Sequence, residues 1–206
     1  MESNQWTQLR QEILSCQKCR LAESRTQAVP GVGPQETRLV IIGEAPGRQE
    51  DLQGEPFVGA AGKLLTKLLE ETGIKRATVF ITNIVKCRPP ENRQPLADER
   101  KACNSYLCRQ VELIQPKLIA LVGRVPAETI LETPIRMGAM HGKIFERNGR
   151  KYFLMYHPAA GLYNQDLIPD MEGDIRKLKR LLDSSEVTEL APEKGQRDLS
   201  RFLEKD

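Results

Sequence analysis

Four short apolar runs stand out along the chain, each closed by a polar or turn-forming residue. They are Leu39-Val40-Ile41-Ile42 before Gly43, Val79-Phe80-Ile81 continuing through Val85, Leu118 to Val122 before Gly123, and Tyr152 to Tyr156 before His157. Unbroken runs of this length read as strands buried on both faces, the habit of parallel sheets. Between them the spacing turns helical. Leu64, Leu65, Leu68 and Leu69 share a face of a segment from Lys63 to Thr72 that Gly73 stops. Pro95 opens a helix whose apolar positions run to about Ile114, Val125 to Leu131 gives a third, and Asp170 to Leu182 a closing one. Strands alternating with helices predict a three-layer α/β/α fold around a central, mostly parallel four-stranded sheet. A polar, cysteine-containing stretch precedes the first strand. After Leu182, residues 184–195 are polar and include Pro192 and Gly195, which reads as a linker. The expected organisation is one catalytic-sized domain over 1–183, the linker, and a short tail over 196–206.

In such sheets ligands bind beyond the carboxyl ends of the strands. Those ends carry Gly43-Glu44-Ala45-Pro46-Gly47, Asn83, Gly123 and His157. The first loop is a tight turn that exposes main-chain N–H groups beside an acidic side chain. It lacks both the P-loop lysine and the dinucleotide fingerprint, so an ordinary strand-to-helix turn is the bland reading. The acidic pair Glu50-Asp51 just downstream disfavours phosphate there and favours site chemistry.

Charge changes the picture only modestly. The chain of 206 residues carries a net charge of +3, and residues 1–183 hold 27 basic against 22 acidic side chains. That excess permits a phosphate-rich partner without demanding one. No apolar run reaches bilayer length, and Met1-Glu2-Ser3-Asn4-Gln5-Trp6 lacks the pattern of a secretion signal. A cytoplasmic monomer with no membrane contact is the expectation. Five cysteines, an odd number, suit that compartment better than a disulfide framework.

The cysteines are themselves candidate ligands. Cys16-x2-Cys19 brings two thiolates to one centre, and Cys87 and Cys103 follow. Four thiolates in this layout can hold a four-iron cluster or a tetrahedral zinc. Polar neighbours make Cys16 and Cys19 poor core residues. Cys108 lies five residues from Cys103, on another helix face, and is taken as a bystander.

Taken in order, these segments resemble family 4 of the uracil-DNA glycosylase superfamily, the cluster-containing type of archaea and bacteria. Gly43-Glu44-Ala45-Pro46-Gly47 with Glu50-Asp51 matches its first motif, and Pro56-Phe57-Val58-Gly59-Ala60-Ala61-Gly62-Lys63-Leu64-Leu65 resembles the next block. Thr82-Asn83-Ile84-Val85-Lys86-Cys87-Arg88-Pro89-Pro90 resembles the uracil-reading strand, and His157-Pro158-Ala159-Ala160 the second motif. Ala60 and Ala159 depart from the family pattern, where arginine is common and serine can occur. The resemblance covers roughly residues 10–182. It implies a uracil-DNA glycosylase-like fold, hydrolysis of the deoxyuridine N-glycosidic bond in single- or double-stranded DNA, and a 4Fe-4S cluster on Cys16, Cys19, Cys87 and Cys103.

An enzyme of this kind must extrude the base into a pocket. The resemblance implies a pocket of Gly43, Ala45, Glu50, Phe57, Asn83 and His157. Phe57 suits stacking on the ring, and the Asn83 carboxamide complements uracil O4 and N3–H. Cytosine reverses that pattern and would strand buried polar groups, at about 1–3 kcal/mol each. His157 would donate to uracil O2 as charge builds on the leaving base. Some relatives position the water with an aspartate, where this chain has Ala45, so Glu44 becomes the candidate for orienting it. Glu50 is expected near uracil C5 and His157. Leu162 and Tyr163 would enter the minor groove to fill the gap left by the flipped base. Lys86, Arg88 and Arg93 would contact the DNA backbone. Two other readings stand beside this one: a superfamily glycosylase for a different damaged base, and a non-catalytic, metal-stapled nucleic-acid-binding protein.

The tail carries a separate signal. Gln196, Leu199, Phe202 and Leu203 have the spacing of a peptide that binds a replication sliding clamp, with the three apolar residues on one helical face.

Overall fold

The computed structural model describes residues 4–184. The linker and tail readings, with Gln196, Leu199, Phe202 and Leu203, lie outside the described residues. The elements run in the order α1 (Asn4–Leu14), α2 (Leu21–Ser24), β1 (Leu39–Gly43), α3 (Arg48–Gln53), α4 (Ala60–Glu71), β2 (Phe80–Asn83) and α5 (Ala97–Ile114). There follow β3 (Leu118–Val122), α6 (Arg124–Leu131), α7 (Met137–Met140), β4 (Ile144–Arg147), β5 (Arg150–Met155), α8 (Pro158–Tyr163) and α9 (Ile168–Asp183). Among the described residues no helix is long and apolar enough to cross a membrane.

The sheet order is β2-β1-β3-β5-β4. The four expected strands are all parallel to their neighbours, Val40 opposite Phe80, Leu39 opposite Leu118 and Ile119 opposite Tyr152. The expected four-stranded sheet has a fifth member, since β4 pairs antiparallel with β5 at the edge. Its residues alternate between exposed and half-buried, so no continuous apolar run announced it. The Asn148-Gly149 turn joining β4 to β5, with φ of 51° and 68°, is the two-residue hairpin connection that the sequence does carry. The second strand also ends at Asn83 rather than Val85.

Alternation along the strands divides the core. Leu39, Ile41, Ala120, Val122 and Phe153 face α4 and α9, where Leu65, Leu69, Ile175 and Leu178 cover them. Val40, Ile42, Ile119, Leu121 and Leu154 face the other layer, against Leu107, Val111 and Val125. The N-terminal stretch is a helix, not merely polar chain. Trp6, Leu9 and Ile13 are buried, and the Trp6 ring meets Phe80 edge-on with centroids 5.2 Å apart. Burying side chains of this size stabilises the fold by about 1.5–3 kcal/mol each. The chain leaves β1 toward β2 and later returns to the opposite side of β1 as β3. The crevice beyond the ends of β1 and β3 is therefore the topological switch point.

Candidate active site

Gly43 sits at that switch point with Asn83 opposite it in register. A Cβ on Gly43 would lie 2.5 Å from Asn83 Oδ1 and 2.6 Å from Phe57 Cζ. Glycine is therefore required, and the same distances prove that the carboxamide and the aromatic ring converge on one point. Asn83 is buried, 2% exposed, and its main-chain carbonyl accepts from the Lys86 ammonium at 2.8 Å.

Phe57 is held there at some strain. Its φ is 55°, the left-handed region that costs an ordinary side chain about 1–3 kcal/mol. Glu50 supplies the restraint. Its carboxylate accepts the N–H groups of Gly47 at 3.1 Å, Val58 at 3.0 Å and Gly59 at 2.8 Å, tying the loops on both sides of α3 together. On the other side, a Cβ on Gly62 would collide with the Phe57 carbonyl, so α4 packs directly on this turn. Sequence reasoning did not single out Gly62. A glycine inside the apolar start of a helix was the signal.

His157 completes the group. Its ring lies 5.8 Å from that of Phe57, centroid to centroid, and its β-carbon passes close to Gly123, which turns with φ of 100°. As the residue before α8, His157 accepts the Ala159 N–H on Nδ1 at 3.2 Å. That bond fixes the neutral tautomer, with the proton on Nε2. Burial lowers the His157 pKa below that of a free imidazole, and Glu50 opposes the shift. Glu50 thus reaches His157 by its field, while its oxygens serve the loop.

Glu44 follows Gly43 and is half-buried. Burial raises its pKa against the pull of Arg124 and Arg100. Ala45 packs beside the cysteine cluster. The strand ends thus gather an aromatic face, a base-edge amide, a neutral N–H donor and a basic carboxylate.

The profile of the uracil DNA glycosylase superfamily matches residues 30–179. A type-4 uracil-DNA glycosylase of Archaeoglobus fulgidus is 45% identical over 185 residues, covering 86% of this chain and 93% of its own. The type-4 enzyme of Saccharolobus solfataricus is 46% identical, with 86% of each chain covered. That of Sulfurisphaera tokodaii is 45% identical over 84% of this chain and 83% of its own. The chain belongs to the type-4 uracil-DNA glycosylases.

In this type-4 uracil-DNA glycosylase four of the five cysteines gather at one place. Cys16, Cys19, Cys87 and Cys103 line one cavity with Ile13, Ala22 and Tyr106. Cys108 lines a different space, the groove between α5 and α6. Three sulfurs accept N–H donors: Cys16 from the Lys18 main chain at 3.4 Å, Cys87 from the Arg25 guanidinium at 3.0 Å, and Cys103 from the Lys86 main chain at 3.3 Å. Burial pushes the Cys19 and Cys87 thiols up, and that of Cys103 to about 11. Among the described residues no group of three or more His, Cys, Asp or Glu side chains closes on a single metal ion.

The expected DNA contacts divide. Leu162 and Tyr163, at the end of α8, are exposed at 48% and 93%. Arg88 is half-buried and donates to Asn92 at 2.7 Å. Arg93 is engaged by the buried Glu99 in two bonds of 2.6 and 2.8 Å. Lys86 requires correction. It is 1% exposed, and its ammonium donates to Thr82 Oγ1 at 2.7 Å and the Asn83 carbonyl at 2.8 Å. It cannot touch a DNA backbone, because the apolar run Ile84-Val85 carries it inward. His141, read as a loop residue, pairs through Nδ1 with the buried Asp174 at 3.0 Å and stacks on Tyr156.

Proposed function

We propose that this protein removes uracil from DNA by hydrolysing the N-glycosidic bond and leaves an abasic site. The observation that carries the reading is the convergence of Phe57 and the Asn83 carboxamide on Gly43 at the sheet's switch point, with the His157 ring 5.8 Å from that of Phe57. In this reading the flipped uracil stacks on Phe57. Asn83 donates to O4 and accepts from N3–H, a pattern that cytosine reverses. As the glycosidic bond stretches, negative charge gathers on uracil O2 and the His157 N–H meets it. A neutral donor does this without a charged partner to desolvate. Glu44, with its raised pKa, orients the attacking water and takes its proton as the bond to C1′ forms. The exposed Leu162 and Tyr163 occupy the space that the extruded nucleotide leaves in the duplex. A uracil-containing oligonucleotide, incubated without added metal or nucleotide and then cleaved with alkali, tests the activity. Strand breaks confined to the uracil position are expected.

The four cysteines suit a 4Fe-4S cluster better than one zinc ion. They line one cavity, and the sulfurs of Cys16, Cys87 and Cys103 already accept N–H donors, the arrangement that tunes cluster thiolates. When bound, the cluster supplies a one-electron centre and a cross-link between the N-terminal segment and the β2–α5 region. Replacing any one of Cys16, Cys19, Cys87 or Cys103 by serine should lower iron and sulfide content by at least half, while Cys108→Ser keeps wild-type content. Metal analysis of the five variants checks this, and equal losses in Cys108→Ser and Cys103→Ser would reassign the ligands.

The tail reading belongs to the same proposal. Gln196, Leu199, Phe202 and Leu203 would tether the enzyme to a sliding clamp and raise its local concentration on newly copied DNA. Clamp binding by the full chain but not by a version ending at Ser184 is the expected result.

A further inference from the structure

Lys86 is the one basic residue among the fully buried polar side chains of the described residues. The carboxylates buried with it face elsewhere: Asp51 accepts the Thr26 N–H, Glu99 holds Arg93, and Asp174 holds His141. The described ion pairs include none to Lys86. A buried ammonium without a counter-charge is costly, by several kcal/mol per ion. It is retained here in a specific geometry. Two of its three N–H bonds go to Thr82 Oγ1 and to the carbonyl of Asn83. Thr82 is itself fixed by donating to the Pro30 carbonyl at 2.9 Å, where the buried Gln110 also donates at 2.7 Å. Lys86 also lines the cavity of the four cysteines. Its main-chain N–H meets Cys103 Sγ. One residue thus touches the sulfur centre with one hand and the last residue of β2 with the other.

We propose that Lys86 is a positioning residue: its main-chain N–H meets the sulfur cavity at Cys103 while its ammonium holds the Asn83 carbonyl, keeping the strand end in the position from which the carboxamide reads the base. The anionic, thiolate-bound cluster is its counter-charge, so this inference rests on the cluster reading above. Charge on the cluster and occupancy of the uracil pocket are then coupled, and the coupling is reciprocal. Adding an electron to the cluster draws the ammonium toward the sulfurs and away from the Asn83 carbonyl. The reduced protein binds uracil more weakly, and uracil in turn lowers the cluster's reduction potential. A purely structural lysine, capping a strand end, would leave both quantities alone.

The experiment begins with iron and sulfide analysis of the purified full-length protein. Absence of iron would overturn the cluster reading, and this inference with it. With iron present, the cluster's reduction potential is measured with and without saturating free uracil. A fivefold difference in uracil affinity between the two oxidation states corresponds to a shift of about 40 mV for a one-electron couple. A shift of this order to lower potential is expected. No shift, or one to higher potential, overturns the link while leaving the cluster standing. Lys86→Met, compared at equal iron content, should lose the uracil-dependent shift. It should also raise the half-saturating concentration for uracil-DNA excision at least fivefold, with binding of undamaged duplex unchanged. A Lys86→Met protein with wild-type shift and half-saturation overturns the proposal. Should the variant fail to fold, the potential of the wild-type protein with and without uracil decides alone.

Discussion

His157→Ala should slow the chemical step by about 10²–10³-fold, the usual worth of one oxyanion donor, and change DNA binding little. Single-turnover rates beside a binding titration separate the two. An unchanged chemical rate would remove His157 from catalysis. The size of the effect follows from how the ring is held. Nδ1 is committed to the Ala159 N–H, so Nε2–H faces the pocket without an alternative tautomer. Burial lowers the pKa of the ring, which sets the sign of its pH dependence. The native state protonates His157 at lower pH than the unfolded chain, whose imidazole titrates near 6.5. As pH falls below about 6.5 the unfolded state takes up more protons, and His157 then subtracts from stability. Above that value the ring is neutral in both states and contributes no slope.

Asn83→Asp should cut uracil excision by about 5–150-fold, equivalent to 1–3 kcal/mol for one mispaired buried group, and bring cytosine excision above background. The acid, where protonated, donates to cytosine N3 and accepts from its amino group, which the amide cannot do. Where ionised, it faces uracil O4 with a second acceptor in a site only 2% exposed. Matched oligonucleotides with uracil or cytosine at one position measure both rates. Full uracil activity with no gain on cytosine would take base reading away from Asn83.

Much of this molecule is legible in its sequence because parallel strands leave continuous apolar runs. Leu39–Ile42, Leu118–Val122 and the run before His157 fix three strands and, by their ends, the pocket's location. What escaped has physical reasons. Strand β4 lies at an edge, so Ile144 remains 39% exposed and no buried run forms. Helix α1 buries only Trp6, Leu9 and Ile13 amid polar residues; their spacing was present but sparse. Pro95 lies before the helix it announces, which begins at Ala97. Lys86 misled because a lysine in a basic loop is ordinarily solvated, and only the packing of the β2–α5 region reveals the hydroxyl and carbonyl awaiting it. Glu50 also grips three main-chain amides with its oxygens, an arrangement that pattern alone does not encode.

That grip by Glu50 has a thermodynamic corollary. The turn bearing Phe57 is set before any base arrives, pinned by one carboxylate and backed by α4 at Gly62. In the proposed reading, uracil meets a wall that has already lost its conformational freedom during folding, and little ordering remains for the moment of binding. The heat-capacity change on taking up free uracil should then scale with the ring area hidden against Phe57, and not with the larger value that accompanies a loop folding over its ligand.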